Sequence, residues 1–246
     1  MKLEEKIKNK YLYKKKLNFI KIMYFFYQYI KSMKFLKKRI FYSNWGVDKM
    51  AEDFFKQRKA GFFVDVGCHQ PFLNNNTYSL YKKGWRGINI DLDFGTIDMF
   101  NFFRKEDTNI HVAVSNTIEE KNLYFFHNRS AVNTLSFKEG SKAKEVKKVV
   151  TSTLNKIIET SIYKNKEIDF LSIDVEGYEI EVLQGLDFNK YKPKLVVLEF
   201  INHDIKEFYN QKISNIINSQ INKFMENKNY KLVNWIHDDL VYVPNN

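Results

Sequence analysis

Six acidic residues close apolar runs along this 246-residue chain. Asp65 ends GFFVDVG (61–67), Asp91 and Asp93 end RGINIDLD (86–93), Asp174 and Glu176 end IDFLSIDVEG (168–177), and Glu199 ends PKLVVLEF (193–200). A carboxylate where a buried strand gives way to a loop can accept hydrogen bonds from hydroxyls, take up a proton or bind a cation.

The first two strand ends suggest a ligand. Gly67 lets the backbone turn tightly and approach a bound molecule. The stretch VDVGCHQP nevertheless departs from G-x-G-x-x-G, because His69 and Pro71 stand where later glycines would be. That disfavours a pyrophosphate cradle at the next helix. Asp91 lies 26 residues after Asp65, where an acid can accept two bonds from ribose hydroxyls. The bland alternative is that Asp91 only caps the following helix. A ribose site without a pyrophosphate site points to a nucleoside ligand, of which S-adenosylmethionine is the obvious one.

Methyl transfer from a sulfonium is an in-line displacement, so the acceptor atom must be aligned with the methyl group. An alcohol is a poor nucleophile and needs a general base or a divalent metal beside it. Asp174, Glu176, Glu199 and His203 are the candidates. Alternate strand residues share a face, so Asp174 and Glu176 would turn the same way if the strand persisted. Asp174, Glu199 and His203 could together form an oxygen/nitrogen site of the Mg or Mn type. Acids at strand ends also cap helices, and Glu176 precedes one.

The elements that must position these groups alternate. Strands at 61–67, 86–93, 109–115, 168–177 and 193–200 are near-continuous apolar runs. Between them, TYSLYKKG (77–84) reads as a helix, with N-cap candidates at Asn74–Asn76 and a stop at Gly84. The helix after Gly177 turns Ile180, Leu183 and Leu186 inward. A long amphipathic helix would place Ile205, Phe208, Tyr209, Ile213, Ile216, Ile217, Ile221 and Phe224 on one face, and 230–243 closes as a hairpin-like pair. This pattern predicts a doubly wound α/β fold whose mostly parallel sheet is covered on both faces. Ligands of such sheets bind at the carboxyl ends of the strands, so the acids should converge there. Residues 116–160 interrupt the alternation. NLYFFHN is a candidate edge strand, KEGSKAKEVKK (138–148) looks mobile or solvent-facing, and an insertion at this rim often forms a lid.

The stretch FVDVGCHQPFLNNNTYSLYKKGWRGINIDLD, with IDFLSIDVEGYEIEVLQGL and LVVLEF, resembles the FkbM family of methyltransferases over roughly residues 61–200. The resemblance implies the class I S-adenosylmethionine-dependent fold, Rossmann-like with a seven-stranded sheet. It also implies methylation of hydroxyl groups, often on sugars of antibiotics or surface polysaccharides. It puts Asp65, Gly67 and the pair Asn76 and Thr77 in the cofactor pocket, Asp91 with Leu92 at the ribose, and Ala113 and Val114 near the adenine. Asn133 and Thr134 become candidates for acceptor contact, although they could equally form only a turn. His69 would touch cofactor or acceptor, or be a structural histidine. Cys68 is expected to be packing, since no thiolate activator is evident. On this reading the enzyme is a sugar O-methyltransferase with a sugar nucleotide or glycan acceptor.

Charge divides the chain. Residues 1–40 hold thirteen Lys and Arg against two Glu, and the remainder is balanced. A neutral main domain and the lack of an Asn-Pro-Pro-Tyr-like motif argue against a nucleic-acid methyltransferase gripping a phosphate backbone. Residues 1–45 form a basic amphipathic arm, with Phe19, Ile22, Met23, Phe26, Tyr27, Ile30 and Met33 as one stripe; 46–246 form the main domain. The arm is too charged to span a membrane or to be a secretory signal. It would lie on an anionic membrane, or pack on its own domain or a second copy. The single Cys fits a reducing compartment, hence a cytoplasmic enzyme, peripheral at the inner membrane face if the arm binds lipid. A membrane-associated scaffold with the fold but no catalysis is the remaining alternative.

Overall fold

A computed structural model describes residues 18–127, 130–200 and 212–245. Seven strands form the central sheet: β1 (Phe62–Val66), β2 (Arg86–Asp91), β3 (Thr108–His111), β7 (Phe170–Ile173), β8 (Leu195–Glu199), β9 (Tyr230–Ile236) and β10 (Asp239–Pro244). Their order is β3-β2-β1-β7-β8-β10-β9. All neighbours are parallel except that β10 runs antiparallel to β8 and to β9. The sheet is therefore mostly parallel and ends in an antiparallel hairpin, as the strand pattern predicts.

The central strands are buried on both faces, which explains why they read as unbroken apolar runs. Alternate side chains feed two cores. Val64, Ile88, Leu171 and Val196 join one cluster, while Phe63, Phe170, Leu195 and Val197 join another with Trp85. Register aligns the carboxyl ends: Val66 lies opposite both Ile90 and Ile173, and Ile173 opposite Leu198.

Three expectations need correction. The run at 109–115 is not one strand. It breaks at Val112, whose N–H donates to the Asp91 carbonyl (3.1 Å). Ala113–Val114 (β4) then joins a second sheet with β5 (Glu120–Phe125) and β6 (Glu145–Ser152), in the order β4-β6-β5. NLYFFHN thus contributes a strand, and the end of KEGSKAKEVKK, mostly solvent-facing as expected, opens β6, paired antiparallel with β5. The long helix also divides, into Ile213–Ile217 and Gln220–Asn227, because the Ser219 hydroxyl accepts a bond from the Asn222 N–H and starts a new helix. Ile205, Phe208 and Tyr209 lie outside the described residues. Finally, Asn74–Asn76 do not cap the helix Tyr78–Lys82; Thr77 occupies the cap position without a side-chain bond.

Candidate active site

At the carboxyl rim, β1 and β7 pass so closely that only glycine fits between them. Gly67 has φ +80°, and a Cβ there would lie 1.7 Å from the Asp174 carbonyl oxygen. The backbone of β1 can therefore turn under the next loop, opening a cavity of about 330 Å³. That volume suits a small-molecule site. Asp65, Asp91, Asp174, Glu176 and Glu199 all line it, joined by Asp238 and Asp239. Asp93 does not: it caps the helix Phe94–Phe103 by accepting from the Thr96 N–H (2.9 Å). The helix-cap reading belongs to Asp93, and Asp91 is left at the cavity.

On the β1–β2 side the acids are held in place by neighbours. Asp65 is buried and accepts from Thr77 Oγ1 (2.8 Å) and Asn75 Nδ2 (3.1 Å). Burial pushes its carboxyl up, opposed by the buried Arg104 guanidinium. Arg104 in turn donates to Asn75 Oδ1 and Thr77 Oγ1, both at 3.1 Å. Asp91 spans two loops, accepting from the His69 N–H (3.0 Å) through Oδ2 and the Asp93 N–H (2.8 Å) through Oδ1. A carboxylate has about four lone-pair sites and can accept several bonds at once, ribose hydroxyls included. His69 holds the left-handed conformation (φ +48°) that presents its N–H to Asp91. Asn76 donates to Ser172 Oγ (3.1 Å) at the wall, and Leu92, Ala113 and Val114 supply apolar lining. Thr77 is fully buried behind Asp65 and reaches the cavity only through the residues it holds. Cys68 is buried, and burial pushes its thiol well up, consistent with packing.

On the β7–β8 side the loop after Ile173 is strained. Glu176 has φ +57° and Gly177 φ +86°, and a non-glycine residue in that region costs on the order of 1–3 kcal/mol. Three side chains impose it. Glu179 Oε1 accepts from the Val175 and Gly177 N–H groups (both 3.1 Å), Glu199 Oε2 accepts from the Glu176 N–H (3.3 Å), and Thr134 Oγ1 donates to the Glu176 carbonyl (2.9 Å). Thr134 is thus a buried tie between the inserted segment and this loop, outside the lining. Asn133 does line the cavity, yet its amide also closes a turn, accepting from the Phe126 N–H and donating to the His127 carbonyl.

Asp174, Glu176 and Glu199 each offer an oxygen within 4.8 Å of the others. Asp174 is open to the cavity, but protein encloses it elsewhere, and loss of water pushes its carboxyl up. Glu199 rises further, through burial first and then the neighbouring Asp174 charge. Two carboxyls this close disfavour each other's ionisation, so the charge of one holds the other's proton more tightly. The same three acids suit an oxygen-ligated divalent cation. His203, the third ligand expected from the sequence, lies outside the described residues.

Asp238 and Asp239 were missed in the sequence. The legible signal was topological: an antiparallel strand starts where its parallel neighbours end, so acids opening β10 reach the same rim. Asp239 pairs in register with Glu199, and burial pushes its carboxyl up to about 8. No Lys or Arg is among the described lining residues.

Among solved structures, a TehB-like SAM-dependent methyltransferase from Corynebacterium glutamicum is similar at 12% identity and a TM-score of 0.44, covering 89% of this chain and 97% of its own. No curated protein matches the chain. The Methyltransferase FkbM domain matches residues 65–232, which begin at the buried acid of β1 and end within β9, and the chain belongs to the FkbM methyltransferase family.

Proposed function

We propose that this methyltransferase transfers the methyl group of S-adenosylmethionine to a sugar hydroxyl, on a glycan or a surface-polysaccharide precursor. The observation that carries the reading is the Asp174–Glu199 pair, two adjoining carboxyls on the cavity wall, both raised above the ordinary range, with the β1 end between them and Asp91 in the sheet order. The residues present fit the cofactor: Gly67 leaves the backbone bare where a Cβ would collide, the Asp91 carboxylate stands at the cavity where it can accept from ribose, and an acid-lined cavity favours a cationic sulfonium. When bound, the cofactor supplies an electrophilic methyl group.

The chain's own groups do the rest. The ionised member of the Asp174–Glu199 pair would accept the proton that the acceptor hydroxyl gives up as its oxygen takes the methyl group. A carboxyl raised toward neutrality is better matched to that task than an ordinary one. Because no Lys or Arg is among the described lining residues, the acceptor atom reaches the cavity on an uncharged part of its molecule. The phosphates of a sugar nucleotide would stay outside, or enter with a divalent cation held by Asp174, Glu176 and Glu199.

Titration calorimetry with S-adenosylmethionine, with and without Mg²⁺ or Mn²⁺, tests the cofactor and metal parts. Asp91→Ala should weaken cofactor binding by about 1–3 kcal/mol, the scale of lost bonds to a charged group. Unchanged affinity would remove Asp91 from the ribose. Labelled methyl transfer to a panel of glycans then tests the acceptor. Transfer to nitrogen or to nucleic acid, with none to sugar hydroxyls, would overturn the reading.

A further inference from the structure

The helix Phe19–Leu36 is amphipathic on the side opposite to the one that holds it to the protein. Its buried face is Lys21, Tyr24, Phe25, Gln28, Ser32 and Leu36. This face packs on Phe72, Met99, Phe102 and Phe103, with Phe25 and Phe102 rings 5.5 Å apart. Lys21 is fully buried, ion-paired with Asp98 and 5.6 Å from the Phe94 ring. The docked orientation is therefore fixed by charge as well as by aromatic contact.

Much of the stripe that dominates the sequence of this helix points away, while Ile22 is half-buried, Met33 packs on the docked cluster and Phe26 meets Phe102 and Phe103 edge-on. Phe19 is 75% exposed, Met23 56%, Tyr27 52% and Ile30 54%. These positions recur at the helical period and form one continuous face. An apolar face left open after a helix has already docked marks an interaction surface. Lys31, Lys34, Lys37 and Lys38 are exposed beside it, and no acidic residue occurs between positions 18 and 47.

We infer that this face binds the surface of an anionic lipid bilayer, with the helix lying in the interface and the lysines at the headgroups. Charge complementarity selects this occupant. A second copy would bring one lysine row against another, in a region with thirteen cations and two anions over residues 1–40. Insertion across the bilayer is not the mode, because no helix among the described residues is long and apolar enough to cross a membrane. Interfacial helices of this type combine buried apolar area with attraction to anionic lipid.

The test is sedimentation of the full chain with phosphatidylcholine vesicles and with vesicles carrying about 30% phosphatidylglycerol. Binding should be at least about tenfold stronger to the anionic vesicles and should fall with added salt. Met23→Glu and Ile30→Glu alter only the exposed face, so circular dichroism and cofactor binding should stay unchanged while vesicle binding drops about tenfold or more. Absence of binding to anionic vesicles would overturn the inference. So would binding that neither substitution affects, or a dimer in light scattering that both substitutions abolish without any vesicle binding.

Discussion

Replacing Glu179 by Gln should change how stability depends on pH. Glu179 is 4% exposed, and its carboxylate is pushed up to about 7, chiefly by burial and slightly by the Asp174 charge. Both N–H bonds it accepts go to the same oxygen, Oε1, which a glutamine amide retains. The substitution therefore removes the ionisation and keeps the loop. In the folded protein the group holds its proton to about 7, whereas its ordinary value is 4.5. The native state binds the extra proton between those values, so the stability it contributes is full below about 4.5 and is lost as pH rises through about 7. At roughly 1.4 kcal/mol per pH unit, the interval amounts to about 3 kcal/mol. Urea unfolding at about pH 5 and about pH 8 should show the wild type losing roughly 2–3 kcal/mol more than Glu179→Gln over that range. Equal losses in the two proteins would show that Glu179 is ionised throughout, and would refute the raised carboxyl that burial imposes beneath this loop.

Two further substitutions probe how the site is held. Gly67→Ala puts a Cβ 1.7 Å from the Asp174 carbonyl at φ +80°; the left-handed backbone alone costs about 1–2 kcal/mol, and displacement of the β7 end should abolish cofactor binding by calorimetry. Normal binding would mean that the cavity floor does not depend on this crossing. Thr134→Val keeps shape but removes the donor to the Val175 and Glu176 carbonyls. It should cost about 1–3 kcal/mol in urea unfolding and speed amide exchange in the 174–177 loop, and an unaltered exchange pattern would cut the proposed tie.

How far the sequence could be read depends on how local each signal is. The strands β1, β2, β7 and β8 were legible because burial on both faces leaves no polar alternation to confuse them. Asp65, Asp91, Asp174, Glu176 and Glu199 were legible because chain direction in a parallel sheet sends every such end to one rim. Their supports were not. Arg104 reaches Asn75 and Thr77 from the far end of a helix, and Glu179 bonds backward to a loop it follows; neither contact has a periodicity. The break at Val112 was hidden because 109–115 (NIHVAVS) holds no glycine, proline, acid, lysine or arginine to mark an interruption. On the arm, helical spacing found the apolar stripe but not its direction. That was decided by Lys21, whose burial against Asp98 turns the other face inward.

The acid-lined cavity has a kinetic consequence. Its ionised carboxylates act on charge, and the two forms of the cofactor differ in it. The fresh form carries a positive sulfonium, and the spent form, after losing its methyl group, is a neutral thioether at that atom. A field that draws in the first has no hold on the second. The ionised members of this wall therefore favour the fresh form over the spent one, and that preference should grow as pH rises and more of the raised carboxyls ionise.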